Sequence, residues 1–278
     1  MKITVAPCAG FCFGVTRALE IAFDAAREGE GPVATLGPII HNPQVVAKLE
    51  REGLHAFDEL DRIERGTLVV RSHGLPSSVL EHAREKGLLI VDATCPFVKQ
   101  AQERAIQLES EGYRVVVVGE KDHPEVLAIT GNLAGPAIVV NDTGSIPAMA
   151  PDVRVGVVCQ TTQPIERLRA AVDRLVGVTT ELKVFNTICG ATRERQRNAL
   201  ELARTADVMV VVGGKNSANT RRLWELCQEA GCDAYHIETA DELRPEWFEG
   251  KKEVGVTGGA STPQWIIDEI VDVIRTMG

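Results

Sequence analysis

The sequence predicts an α/β fold made of three pseudo-repeated α/β units, and three observations carry that expectation. Short β-branched runs alternate with helical patterns along nearly all of the 278 residues, which is the rhythm of βαβ units. Three cysteines, Cys12, Cys95 and Cys189, divide the chain into thirds; each follows an apolar run and precedes a helical pattern (ITVAPCAGFC-FGV, LLIVDATC-PFVKQ, LKVFNTIC-GATRERQ). Polar residues then recur at matched offsets. His41, His123 and Ser217 lie 29, 28 and 28 residues beyond Cys12, Cys95 and Cys189, and His73, Thr161 and Ser261 lie 61, 66 and 72 beyond them. Such self-similarity reads as repeated supersecondary units, here residues 13–95, 96–189 and 190–278.

Taken in order, the opening MKITVAPCAG is too short and polar for a secretion signal and reads as a first strand. After Gly14, the residues Val15, Ala18, Leu19, Ala22, Phe23 and Ala26 fall on one helical face. Val69-Val70, Val115–Val118, Val155–Val158, Val208–Val212 and Val254–Val256 read as buried strands. Apolar on both faces, they suit parallel sheets covered by helices. Each run ends in small or polar residues: RSHG, GEKDHPE, CQTTQ, GGKNSANT and TGGAST. In open α/β sheets ligands bind at such carboxyl ends, beside helix N-termini whose N–H groups suit anions. The stretch Gly135–Arg154 reads as a surface connection.

Bulk properties narrow the function. With 44% hydrophobic and 25% charged residues the chain is of the soluble globular class, and without 18 consecutive apolar residues it carries no membrane helix. A net charge of −9 argues against a nucleic-acid partner but leaves room for a small anion met by local donors. Seven cysteines with no CxxC and no export signal point to a reducing cytoplasm and to metal ligation or catalysis. Any metal site must therefore be assembled from residues distant in sequence.

Thiolates are soft ligands for zinc, copper(I) or iron–sulfur clusters. Three of them from Cys12, Cys95 and Cys189 would hold a metal or cluster and leave one position open for chemistry. Cys159, Cys227 and Cys232 read as small buried hydrophobes, and Cys8 as a spectator thiol. His55, His82 and His236 read as structural. His41, His73 and His123 sit in strand-end loops, where imidazole can donate to phosphate oxygens. Glu125, two residues beyond His123, is a candidate proton donor, a role that favours a raised pKa. Ser217 and Asn219 at a helix start, Thr161 in QTTQ, and Ser261 before Pro263 are helix caps or anion ligands, because both uses need the same donors. The loop GGKNSANT is not a Walker A sequence.

The segments AGFCFGVTRA, LGPIIHNPQVV, RSHG, DATCP, HPEV, QTTQ, NTIC-AT-RQ, GGKNSANTRRL and GGASTP together resemble the LytB/IspH family, in order from about residue 2 to residue 277. The resemblance implies 4-hydroxy-3-methylbut-2-enyl diphosphate reductase activity, the last step of the non-mevalonate isoprenoid pathway. It implies one oxygen-sensitive [4Fe–4S] cluster per chain, held by Cys12, Cys95 and Cys189, with a fourth iron free to meet the substrate hydroxyl. It implies a trefoil of three α/β domains around that cluster, with residues 1–12 joining the third. The diphosphate would lie on His41, His73, His123, Ser217, Asn219 and Ser261. Glu125 would deliver protons, and Thr161 would orient the substrate hydroxyl. The family's serine pair reads Ser217-Ala218 here, so position 218 can offer only its backbone N–H. A ferredoxin or flavodoxin-type carrier would supply electrons, since the chain has no flavin or nicotinamide fingerprint. Two other readings of the cysteines stay open on residues alone: a zinc hydrolase and a cluster-bearing redox sensor.

Overall fold

The computed structural model describes residues 1–29, 31–141 and 153–277. It is a mixed α/β structure with three parallel four-stranded sheets. The chain divides into two compact units, one of Met1–Thr16, Ile40–Ala47 and Gly190–Gly278, the other of Arg17–Ile39 and Lys48–Cys189.

The first unit holds one sheet. Its strands are β1 (Lys2–Val5), β10 (Val208–Val212), β11 (Asp233–Ile237) and β12 (Glu253–Gly258), in the order β1-β12-β10-β11. Strand β10 explains why its sequence is apolar on both faces. Val208, Val210 and Val212 pack with Ile266, Ile267, Ile270 and Ile274 of helix α9 (Gln264–Thr276). Met209 and Val211 face the other way, onto Ala199 and Ala203 of α7 (Gly190–Ala203) and Leu223 and Cys227 of α8 (Ala218–Glu229). A parallel strand covered on both faces buries every side chain, each contributing about 1.5–3 kcal/mol of transfer free energy.

The second unit holds two sheets. One runs β3-β2-β4-β5, from β2 (Val33–Leu36), β3 (Leu54–Phe57), β4 (Thr67–Val70) and β5 (Leu89–Asp92). The other runs β7-β6-β8-β9, from β6 (Arg114–Val118), β7 (Ile138–Val140), β8 (Arg154–Cys159) and β9 (Glu181–Val184). In the latter, Val115 and Val117 pack on Ala101, Ala105 and Leu108 of α4 (Pro96–Ser110), while Val116 and Val118 pack on Leu168, Ala171 and Leu175 of α6 (Ile165–Val176). No helix among the described residues is long and apolar enough to cross a membrane.

In all three sheets the strand that precedes a key cysteine, β1, β5 or β9, lies at the edge, and all three share the burial pattern exposed, intermediate, intermediate, exposed. Strand β1 pairs with β12 from Lys2↔Glu253 to Val5↔Val256. One expectation needs correcting. Within the stretch read as a connection, Ile138–Val140 is the edge strand β7, paired with β6, and Arg154 opens β8. Three residues of which only Val140 is buried are too little to announce a strand. Residues 142–152 of that stretch lie outside the described residues.

The close covering of the sheets makes a testable point at Gly156 on β8, where a Cβ would lie 2.7–2.9 Å from three atoms of Leu108. Gly156→Ala is expected to cost about 1–3 kcal/mol by overpacking, read as a lower urea midpoint at unchanged slope. A wild-type midpoint would mean that α4 yields without cost.

Candidate active site

Each of the three cysteines is presented by the same local device. Its strand ends, the chain turns, and its backbone N–H is tied to the loop that follows the neighbouring strand. The N–H of Cys12 donates to Ala260 O at 3.1 Å, that of Cys95 to Ser72 O at 3.0 Å, and that of Cys189 to Thr161 O at 3.0 Å. Ala260 and Ser72 immediately precede Ser261 and His73, and Thr161 is itself a candidate residue. A helix then starts at once: α1 (Phe13–Glu28) after Cys12, α4 after Cys95 and α7 after Cys189. Asx turns shape two of these approaches, with Thr94 N–H on Asp92 Oδ1 at 2.9 Å and Ile188 N–H on Asn186 Oδ1 at 3.2 Å. Thr187 adds an anchor, its hydroxyl accepting from Cys159 N at 2.8 Å and donating to Cys159 O.

All seven cysteines are free thiols. Four are held in the neutral form. Burial pushes the Cys159 thiol far up, helped by the Glu125 charge, and pushes Cys227 up to about 12. Burial also raises Cys8, whose thiol donates to the Glu194 carboxylate and is raised further by it, and raises Cys232. Only thiolates ligate metals well, so these four are poor ligands. Cys12, Cys95 and Cys189 are only partly buried and stand at helix starts, where sulfur is accessible to a soft metal or cluster. The donor set therefore fits a soft metal centre.

In the first unit, Ser217 is the N-cap of α8, its Oγ accepting from Thr220 N at 3.3 Å. That leaves its O–H free to donate elsewhere, so capping and anion binding are compatible here. Ala218 opens the helix and offers an unpaired first-turn N–H by position. Asn219 is 5% exposed, and neither its Nδ2 nor its Oδ1 has a hydrogen-bond partner among the described residues. An orphaned buried amide costs about 1–3 kcal/mol, which a polar ligand would offset. Ser261 is not a cap; its Oγ donates to His41 O at 3.1 Å. A Cβ at Gly214 would lie 2.6 Å from that same carbonyl, so the absence of a side chain lets the two loops meet.

In the second unit, the His73 and His123 rings meet edge to face, 5.5 Å between centroids and 79° between planes. His123 caps α5 (Pro124–Thr130), Nδ1 accepting from Glu125 N at 3.1 Å. With Nδ1 an acceptor, the neutral ring carries its proton on Nε2 and is a donor there. Glu125 is 1% exposed. Its Oε1 accepts Thr161 N–H at 2.6 Å and its Oε2 accepts Thr161 Oγ–H at 2.8 Å. Burial raises its pKa from 4.5 to about 7, and the two Thr161 hydrogen bonds oppose that rise without cancelling it.

Two residues from the sequence motifs turn out to support the site through partners that the sequence does not reveal. Arg195, buried on α7, donates through Nη1 to Cys8 O and to Gly258 O, the latter at 3.0 Å. Gln160, fully buried, accepts from Glu120 N at 3.0 Å. Their partners lie 187, 63 and 40 residues away, so neither role could be read along the chain.

The fold and these loops define an α/β protein with paired cysteine and polar loops at the carboxyl ends of its parallel sheets. Residues 3–275 match the LytB protein family, and the chain belongs to it. A relative from Geotalea uraniireducens, named 4-hydroxy-3-methylbut-2-enyl diphosphate reductase, is 52% identical over 278 residues, 99% of this chain and 97% of that one. A relative of the same name from Aquifex aeolicus is 48% identical, covering 99% of this chain and 96% of that one. Among solved structures, one of (E)-4-hydroxy-3-methyl-but-2-enyl diphosphate reductase, described as the terminal enzyme of the non-mevalonate pathway, matches with a TM-score of 0.74 at 47% identity and 99% coverage of both chains. The E-1-hydroxy-2-methyl-but-2-enyl-4-diphosphate reductase from Plasmodium falciparum matches with a TM-score of 0.93 at 25% identity, covering 98% of this chain and 87% of that one.

The elevated Glu125 makes a stability prediction. Because the fold favours the protonated carboxyl, its contribution is fully present below about 4.5 and is lost as pH rises through about 7. Glu125→Gln does not titrate. It should therefore gain stability relative to the parent between about pH 5 and pH 8, by on the order of 3 kcal/mol. Denaturant titrations of both proteins at each pH check this, and a gap independent of pH would contradict it.

Proposed function

We propose that this chain is a 4-hydroxy-3-methylbut-2-enyl diphosphate reductase, removing the allylic hydroxyl as water to give isopentenyl and dimethylallyl diphosphate. The observation that carries the reading is the repeated tie between a cysteine N–H and a neighbouring polar loop, in a chain half identical to reductases of that name. Cys12, Cys95 and Cys189 would hold one [4Fe–4S] cluster and leave one of its irons without a cysteine ligand. When bound, the cluster supplies the two electrons and a Lewis-acidic iron for the allylic oxygen. A ferredoxin or flavodoxin-type carrier in the cytoplasm feeds it. Three functional α/β units, 13–95, 96–189 and 190–278 with 1–12 added to the third, each contribute one thiol; the pairing of β1 with β12 supports the last assignment.

The chain's own residues do the remaining work. Donors on His41, His73, His123, Ser217 and Asn219, with the Ala218 N–H and with the Ser261 hydroxyl turned from His41 O to the ligand, hold the diphosphate and so fix the position of the far, reacting end. The orphaned Asn219 amide supports this role. Glu125 carries a proton on its carboxyl and, ionising near 7, gives it up and regains it at neutral pH. Thr161, whose hydroxyl is bonded to Glu125 Oε2, orients the substrate hydroxyl and relays that proton. Two protons and two electrons per turnover balance the loss of one water.

Two experiments test the assignment. Glu125→Gln should bind the diphosphate with nearly unchanged affinity yet lose kcat by about 100-fold or more, in the range of a lost general acid, whereas Asn219→Ala should act chiefly on KM. Wild-type turnover in Glu125→Gln would remove the proton role. Anaerobic iron analysis should find Cys8→Ser fully loaded and Cys95→Ser depleted, and the reverse pattern would reassign the ligands.

A further inference from the structure

We infer that Gln160 is a positioning residue that closes a ring of hydrogen bonds across the loops after β6 and β8, and so holds the Thr161 N–H and O–H on the Glu125 carboxyl. The ring can be followed atom by atom. Gln160 Oε1 accepts from Glu120 N at 3.0 Å, and Glu120 O accepts from His123 N at 2.9 Å. His123 Nδ1 accepts from Glu125 N at 3.1 Å, and the Glu125 carboxyl accepts both Thr161 donors at 2.6 and 2.8 Å. Thr161 is covalently the next residue after Gln160, which closes the circuit.

Both ends of the Gln160 amide are engaged. Besides Glu120, its Oε1 accepts from Gln163 Nε2 at 3.1 Å, and its Nε2 donates to Thr162 Oγ1 at 2.9 Å. The packing leaves it no slack, since a Cβ on Gly119 would come 2.9 Å from Gln160 Oε1 and 2.7 Å from Val126 Cγ2. A buried hydrogen-bonded network of this kind fixes geometry more than it adds stability. Here it fixes the distance between the loop that carries His123 and Glu125 and the loop that carries Thr161. The Thr161 bonds are what oppose the effect of burial on Glu125, so opening the ring removes that opposition. Among the described residues, titratable groups beside Glu125 include the Cys159 thiol at the end of β8, on which its charge acts, and the His123 imidazole, against whose edge His73 rests.

The inference rests on the proposed proton role of Glu125 only for its catalytic consequence, so the test separates the two. In the full, cluster-loaded protein, the protonated carboxyl of Glu125 is followed by infrared difference titration, with Glu125→Gln as the blank. Gln160→Met removes the Glu120 and Thr162 bonds at nearly constant volume. It should raise the Glu125 midpoint by about one pH unit, a tenfold change in proton affinity. Gln163→Met removes a neighbouring amide of similar burial but leaves the ring closed, and should leave the midpoint in place. A Gln160→Met midpoint equal to the parent's, or equal shifts in both variants, overturns the inference. If Glu125 is also the proton source, the high-pH limb of kcat moves up with the infrared midpoint. A shifted midpoint with an unmoved limb would keep the ring and refute the proton role. Should Gln160→Met not fold, hydrogen exchange in the unaltered protein decides. The N–H groups of Glu120, His123, Glu125 and Thr161 should open together with one common protection, and unrelated protections would overturn the inference.

Discussion

The structure depends on where the cysteine strands sit in their sheets. In each parallel sheet the strand ending toward a key cysteine is an edge strand, paired on one side only. Parallel pairing aligns carboxyl ends, so the cysteine emerges beside the loop of the inner strand, and the bond from its N–H to that loop follows. An edge position also leaves the thiol partly accessible, unlike Cys159 at the end of the inner strand β8, which is buried and held neutral. Exposure and proximity to polar donors thus arise together from strand order. The helices that start directly after the cysteines add the positive ends of their dipoles.

The second constraint is electrostatic. A carboxyl as buried as Glu125 is driven strongly toward the neutral acid, and its two hydrogen bonds from Thr161 pull the other way. Desolvation wins, but the balance leaves the group ionising near 7 rather than far above it. A carboxyl without the threonine would hold its proton too tightly, and an exposed one would lose it at neutral pH. The setting comes from two loops that meet, and the ring through Gln160, Glu120 and His123 is how those loops are kept in register.

The inner strands were legible in the sequence because both faces are buried and the residues are therefore uniformly apolar; β10 and β6 are examples. The cysteine strands were legible through their repeat rather than their composition. Strand β7 was not, because three residues at an edge, only one of them buried, carry no period. At the site, residue types and offsets pointed to the loops, and the structure sorts caps from donors within them: Ser217 caps and keeps a free O–H, whereas Ser261 reaches His41 O instead of capping. The roles of the supporting residues were hidden for a plain reason. Gln160 and Arg195 act on backbone groups far away in sequence, and a backbone amide or carbonyl leaves no signature in the sequence.

The central claim is that these loops serve a cluster-dependent removal of an allylic hydroxyl. Its most direct measurement is anaerobic turnover of the purified protein, with iron and sulfide counted in the same sample, a one-electron reductant, and (E)-4-hydroxy-3-methylbut-2-enyl diphosphate. The account predicts a brown protein with about four irons per chain, as a [4Fe–4S] cluster requires, yielding isopentenyl and dimethylallyl diphosphate in step with reductant consumed. Colourless, iron-free protein that still turned over the substrate would contradict it, as would a fully loaded protein that returned the diphosphate unchanged.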